Sequence, residues 1–204
     1  MKNHRLHTIT VLFMIGCLAA AAVNPVADYL TYVLETVPVM IGVVLLLATR
    51  NRFQITPVLM ILICVHSAIL CLGGHYTYAK VPLGFWLQEM FHFSRNPYDR
   101  IGHLAQGFVP AILAREILVR QKVVNGKSWL FSIVICICLA FSAFYELIEW
   151  FVAQVTGEAA ESFLGTQGDV WDTQWDMFMA LVGAILSLSL LSRFHDKQLK
   201  QLPK

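Results

Sequence analysis

The sequence predicts an all-α polytopic membrane bundle of about six transmembrane helices, one integral membrane domain over residues 1–204 with both termini cytoplasmic. Three observations predict it. Apolar residues make up 57% of the chain and charged residues only 14%, above and below the usual soluble proportions. Six apolar stretches approach the roughly 20 residues that cross a hydrocarbon core. The basic residues alternate between loops instead of scattering.

The first stretch, 8–23, follows Lys2 and Arg5 and ends in an alanine run, as a secretory signal does. Five further spans favour an uncleaved anchor. The second, 30–48, carries Glu35 near its outer end, and the third, 57–72, is short and holds His66 on an otherwise apolar face, where an interhelical hydrogen bond is expected. The loop 81–93 is apolar and aromatic, which reads as a re-entrant or interfacial helix lidding the outer side. The fourth stretch, 101–119, is the most polar. Pro110 is expected to kink it, and Arg115 and Glu116 to snorkel to the nearer interface. The fifth and sixth, 129–152 and 175–191, complete the set, and Trp86, Trp150, Trp171 and Trp175 form an outer aromatic belt.

With the N-terminus inside, 11 of the 15 Lys and Arg residues fall on inner segments, only Lys80, Arg95 and Arg100 fall outside, and Arg115 lies near an inner helix end. Basic residues near span ends stay cytoplasmic. The net charge of +2 with no basic stripe excludes a nucleic-acid partner. All five cysteines lie in apolar runs without CxxC spacing, so neither a disulfide framework nor a zinc–thiolate site is expected.

On this topology the ionisable residues gather on the outer side, while the inner halves are almost wholly apolar apart from Arg115 and Glu116. Asp99 and His103 are four apart, Glu146 and Glu149 three apart, and Asp169, Asp172 and Asp176 three and then four apart, so each set shares a helical face. Charges at such depth belong in a bundle interior or wet cavity. The polar pocket expected from them also includes Arg100 as counter-charge and His75 from the end of the third stretch.

Crowded carboxylates need protons or a cation to coexist. Oxygen ligands with imidazole suit Zn, Mn, Fe, Mg or Ca. The candidate divalent-metal ligands are Glu149, Asp172, Asp176 and His103, and the catalytic candidates are His103, Glu146 and Arg100, the last beside a substrate anion. The alternatives are interfacial hydration of Glu146 and Glu149, capping by Asp169 or Asp172, and a structural His103–Asp99 pair. In function these correspond to a metal-assisted hydrolase or transferase acting on lipid or lipid-linked envelope molecules, a proton- or cation-coupled transporter, or a scaffold.

Four ordered motifs, GGHYTY at 73–78, YDRIGH at 98–103, YELIEW at 145–150 and GTQGDVWDTQWDM at 165–177, closely resemble the YjdF inner-membrane protein family over essentially the whole chain. That resemblance implies an inner-membrane location and a multi-pass architecture, and brings no assigned activity. The order of the last three motifs also looks like that of the VanZ-like membrane proteins, which are associated with glycopeptide antibiotic resistance. Here no arginine stands just ahead of the aspartate motif.

Overall fold

A computed structural model describes residues 2–156 and 166–202. Its helices are α1 (Lys2–Ala21), α2 (Tyr29–Thr49), α3 (Pro57–Tyr76), α4 (Pro82–Phe91), α5 (Tyr98–Arg120), α6 (Lys127–Thr156) and α7 (Asp172–Leu199), with a 3₁₀ turn over Tyr78–Lys80. Gly165, which opens the fourth motif, lies outside the described residues.

Local signals set the boundaries. Asp28 caps α2, its carboxylate accepting from the Thr31 backbone N–H at 2.9 Å and the Thr31 hydroxyl at 2.7 Å. Pro57 and Pro82 open α3 and α4 at first-turn positions whose missing N–H costs nothing. His92, at φ 54°, ends α4 in a left-handed conformation.

Helices α1, α2, α3, α6 and α7 are long and apolar enough to cross a membrane. Helix α5 falls short on hydropathy because it carries Asp99, His103, Arg115 and Glu116, all buried. Its 23 residues still reach about 35 Å. Its polarity is directed into protein, so α5 is the central helix of the bundle.

Helices α5 and α7 run parallel and make the most extensive helix contact. Arg100 meets Asp172 at one end, Gly107 lies against Ala180 midway, and Arg115 meets Asp196 at the other. A Cβ on Gly107 would collide with the Ala180 carbonyl, and one on Gly183 with the Leu104 carbonyl. Two backbones therefore touch, the arrangement small residues permit between membrane helices. Helix α6 runs antiparallel beside them, and Val134 and Cys138 pack with Ala111, Ala184 and Leu188 in a dry layer. Helices α1, α2 and α3 form the other half around Met14, Val39, Leu59 and Met60.

Both chain ends lie at one end of the bundle, where the His4 ring meets Gln54 and Gln198 bonds the Val58 backbone. Here two sequence expectations are corrected. Arg115 and Glu116 do not snorkel, and they are joined by a further ionisable residue, His195, which like Glu116 is fully buried. Glu116 accepts from the Thr56 N–H at 3.1 Å, the Thr56 hydroxyl at 2.7 Å and Arg120 at 3.3 Å, and lies 3.0 Å from His195 Nε2. Arg115 Nη1 stands 3.0 Å from His195 Nδ1 and can only donate. Nδ1 therefore accepts, and Nε2 faces Glu116. Arg120 also stacks over the Phe53 ring at 3.7 Å.

His66 corrects a third expectation: its Nε2 is buried without a hydrogen-bond partner among the described residues. All five cysteines are free, as their spacing predicts. The four tryptophans of the belt are exposed.

Two outcomes check this account by thermal unfolding in detergent. Gly107→Ala forces α5 off α7 and lowers stability by about 1–3 kcal/mol, whereas Gly16→Ala, which meets nothing within 4 Å, does not. The Thr31 N–H bond holds the Asp28 carboxyl below its ordinary pKa. A depressed folded-state value stabilises above the unfolded pKa and is lost as pH falls through the folded one. Asp28→Ala thus costs about 1 kcal/mol near neutrality, and the two proteins converge in acid.

Candidate functional site

The acidic residues collect at the bundle end opposite the termini. Three segments build the site: the start of α5, the last third of α6 and the start of α7. Their placement depends on two loops. Asn96 is fully buried, its side-chain N–H donating to the Val81 carbonyl at 3.1 Å and its Oδ1 accepting from the Tyr98 N–H at 3.0 Å. Its backbone pairs reciprocally with the Gln167 side chain, at 3.0 and 3.1 Å. Gln167 and Gly168 both take positive φ, 50° and 83°, to make that turn. The GGHYTY and YDRIGH motifs serve a related purpose: Gly73 and Gly102 leave the space that the buried Tyr78 ring fills.

One half of the site is an ion-pair network. Arg100 donates to Asp176 Oδ1 at 2.5 Å, to Asp172 Oδ1 at 2.8 Å, to Asp169 Oδ2 at 3.0 Å and to the Asp172 carbonyl at 3.1 Å. Arg95 donates to Asp172 at 2.5 Å, to the Thr166 carbonyl at 3.1 Å and to Asp99 at 3.4 Å. Arg100 is therefore the counter-charge of three aspartates. Asp169 also accepts from the Trp171 N–H at 2.9 Å, and Trp171, not an aspartate, is the residue before α7.

The other half is centred on His103. Around its Nε2 stand Asp99 Oδ1 at 3.6 Å, Glu146 Oε1 at 3.8 Å and Asp176 Oδ2 at 3.9 Å, from α5, α6 and α7 respectively. None of these is a hydrogen bond. Glu146 Oε1 and His103 Nδ1 are buried without a hydrogen-bond partner among the described residues. Two sets, Asp99–His103–Asp176 and His103–Glu146–Glu149, each bring ligand atoms within 4.8 Å of one another. Neither includes Asp172, which the two arginines hold. The two sets include His103, Glu149 and Asp176 from the candidates read in the sequence, add Asp99 and Glu146, and leave out Asp172, which pairs with Arg95 and Arg100.

His75 does not join the pocket. Its Nδ1 lies 3.0 Å from the Ala21 carbonyl, tying α3 to α1. Conversely Glu35 of α2 is buried within reach of the Tyr145 hydroxyl, at 3.5 Å. Sequence reasoning did not place Arg95, Asn96, Tyr78 or Gln167 at the site. Arg95 lies four residues before Asp99, the same spacing that joins Asp99 to His103, and that was the one available signal.

These features have counterparts in known proteins. A family model described as "Predicted membrane protein (DUF2238)" matches residues 6–197. The chain belongs to this membrane-protein family. It is 55% identical over 174 residues to "Inner membrane protein YjdF" of Escherichia coli (strain K12), covering 85% of this chain and 83% of that relative. No solved structure matches. Family membership and the apolar helices together make it an inner-membrane protein.

Arg100→Met would leave Asp176 without its arginine and Asp169 and Asp172 with Arg95 alone, and should lower stability by about 3 kcal/mol or more. The exposed Arg193→Met should leave the unfolding midpoint unchanged.

Proposed function

We propose that this protein is a metal-assisted membrane hydrolase or transferase acting on lipid or lipid-linked envelope molecules from the outer leaflet. The observation that carries the reading is the unbonded gap at His103 Nε2, ringed by three carboxylate oxygens at 3.6–3.9 Å. Ligands each about 2.1 Å from a tetrahedral ion stand roughly 3.4 Å apart. The three distances from His103 Nε2 are close to that spacing and longer than a hydrogen bond.

Charge favours a cation as well. Among the described residues, Arg95 and Arg100 are the permanent positive charges that stand with Glu35, Asp99, Glu146, Glu149, Asp169, Asp172 and Asp176. His103 with Asp99 and Asp176, or His103 with Glu146 and Glu149, is suited to hold a divalent ion. Such an ion supplies Lewis acidity and an activated water. Tyr145 orients Glu35 behind them.

Transport is the second reading, and Gln106 Oε1 and Ser142 Oγ speak for it as buried polar atoms without a hydrogen-bond partner among the described residues, one turn further in than His103 and Glu146. Against it stands the dry layer of Ala111, Val134, Cys138 and Ala184 beneath. A pocket with an apolar floor suits chemistry on a membrane-embedded substrate better than passage.

Elemental mass spectrometry of protein purified in detergent without chelator tests the proposal. Near-stoichiometric divalent metal is expected in wild type and is lost from folded His103→Ala and Asp176→Asn. Folded wild type that holds no metal after reconstitution with zinc or manganese overturns it.

A further inference from the structure

An apolar groove of about 330 Å³ opens beside the acidic site, lined by Leu87, Phe91 and Phe93 from α4 and the segment after it, by Ile101 of α5 and by Met179 of α7. Arg100 also lines it, and the guanidinium of that same residue reaches Asp172 and Asp176. Groove and carboxylate cluster are thus two faces of one residue. Phe91 and Phe93 are exposed, as are Leu83, Phe85, Trp86 and Met90 on α4. This short helix carries the apolar surface of an interfacial element.

We infer that the groove holds one acyl chain of a glycerophospholipid with a primary ammonium headgroup, of the phosphatidylethanolamine type, whose headgroup lies at the carboxylate cluster. The inference rests on the proposed function and names the substrate class of that site. Hydrogen-bonding capacity selects the headgroup. Seven carboxylates stand with two guanidinium groups, and the buried Glu146 Oε1 has no hydrogen-bond partner among the described residues, so acceptor oxygens are in excess. A purely anionic headgroup adds to that excess. An ammonium group offsets it and offers three N–H donors to oxygens that can only accept. The phosphate of the same headgroup is left to the metal. The guanidinium of Arg100 is already engaged by aspartates, which removes the obvious receptor for a headgroup that is only anionic.

A second apolar groove, about 490 Å³ and lined by Leu6, Phe13, Ile61 and Val65 on α1 and α3, has no carboxylate beside it and serves as the internal control. The full-length protein in nanodiscs is photolabelled with acyl-chain diazirine probes that differ only in headgroup, ethanolamine or glycerol, and labelled peptides are mapped by mass spectrometry. The ethanolamine probe should label residues 87–101 and Met179 about fivefold more than the glycerol probe, the ratio one partly exposed ion pair supplies. Both probes should label the α1–α3 groove alike. Ile101→Trp should abolish the excess at 87–101. Equal labelling by the two headgroups at 87–101 overturns the inference in wild type alone, whether or not the tryptophan variant folds. Metal content measured on the same sample separates the two ideas. Bound metal without headgroup preference sinks the lipid assignment and leaves the metalloenzyme reading standing. Headgroup preference without metal does the reverse.

Discussion

The backbone contact between α5 and α7 is the constraint on which the other interactions depend. Gly107 and Gly183 allow two parallel helices to touch, and that contact fixes their axial register. Register then decides which ionisable groups meet at both ends. Arg100 reaches Asp172 and Asp176 at one, and Arg115 reaches His195 and Asp196 at the other. A slip of one turn, about 5.4 Å, would leave both sets of charges buried and unmatched.

The two polar networks are built alike and finished differently. At the end bearing the termini, both oxygens of Glu116 and both nitrogens of His195 have partners. Such closure suits a structural role, since a half-satisfied buried network is costly. At the acidic end Arg100 binds three aspartates, while among the described residues His103 Nδ1 and Glu146 Oε1 have no hydrogen bond. Open valences beside a carboxylate cluster are the pattern expected of a site that receives something.

Much of this was legible in the sequence. Span lengths, the alternation of basic loops and the i, i+3 and i+4 spacing of the acids each follow from local periodicity, and the structure reproduces the helices and the shared acidic end. What was not legible depended on non-local pairing. Asp172 looks like a ligand by spacing, and the approach of Arg95 and Arg100, 77 and 72 residues away, engages it. His75 belongs to an attractive motif, yet the Ala21 carbonyl draws it toward α1. Asp99 was first a partner for His103, and its carboxylate proved to be one of three at equal remove. His195 lies where a helix end seems to enter water, and nothing local reveals that α3 and α5 cover it.

The way α3 begins bears on how the chain is made. The first backbone donors of that helix are satisfied from elsewhere, Thr56 by Glu116 of α5 and Val58 by Gln198 near the end of α7. A ribosome delivers α3 to the membrane long before either partner has been translated. Until the last helix is inserted, the N-terminal half therefore waits with an open seam at its cytoplasmic edge, and completion of the chain is also the event that locks its third helix.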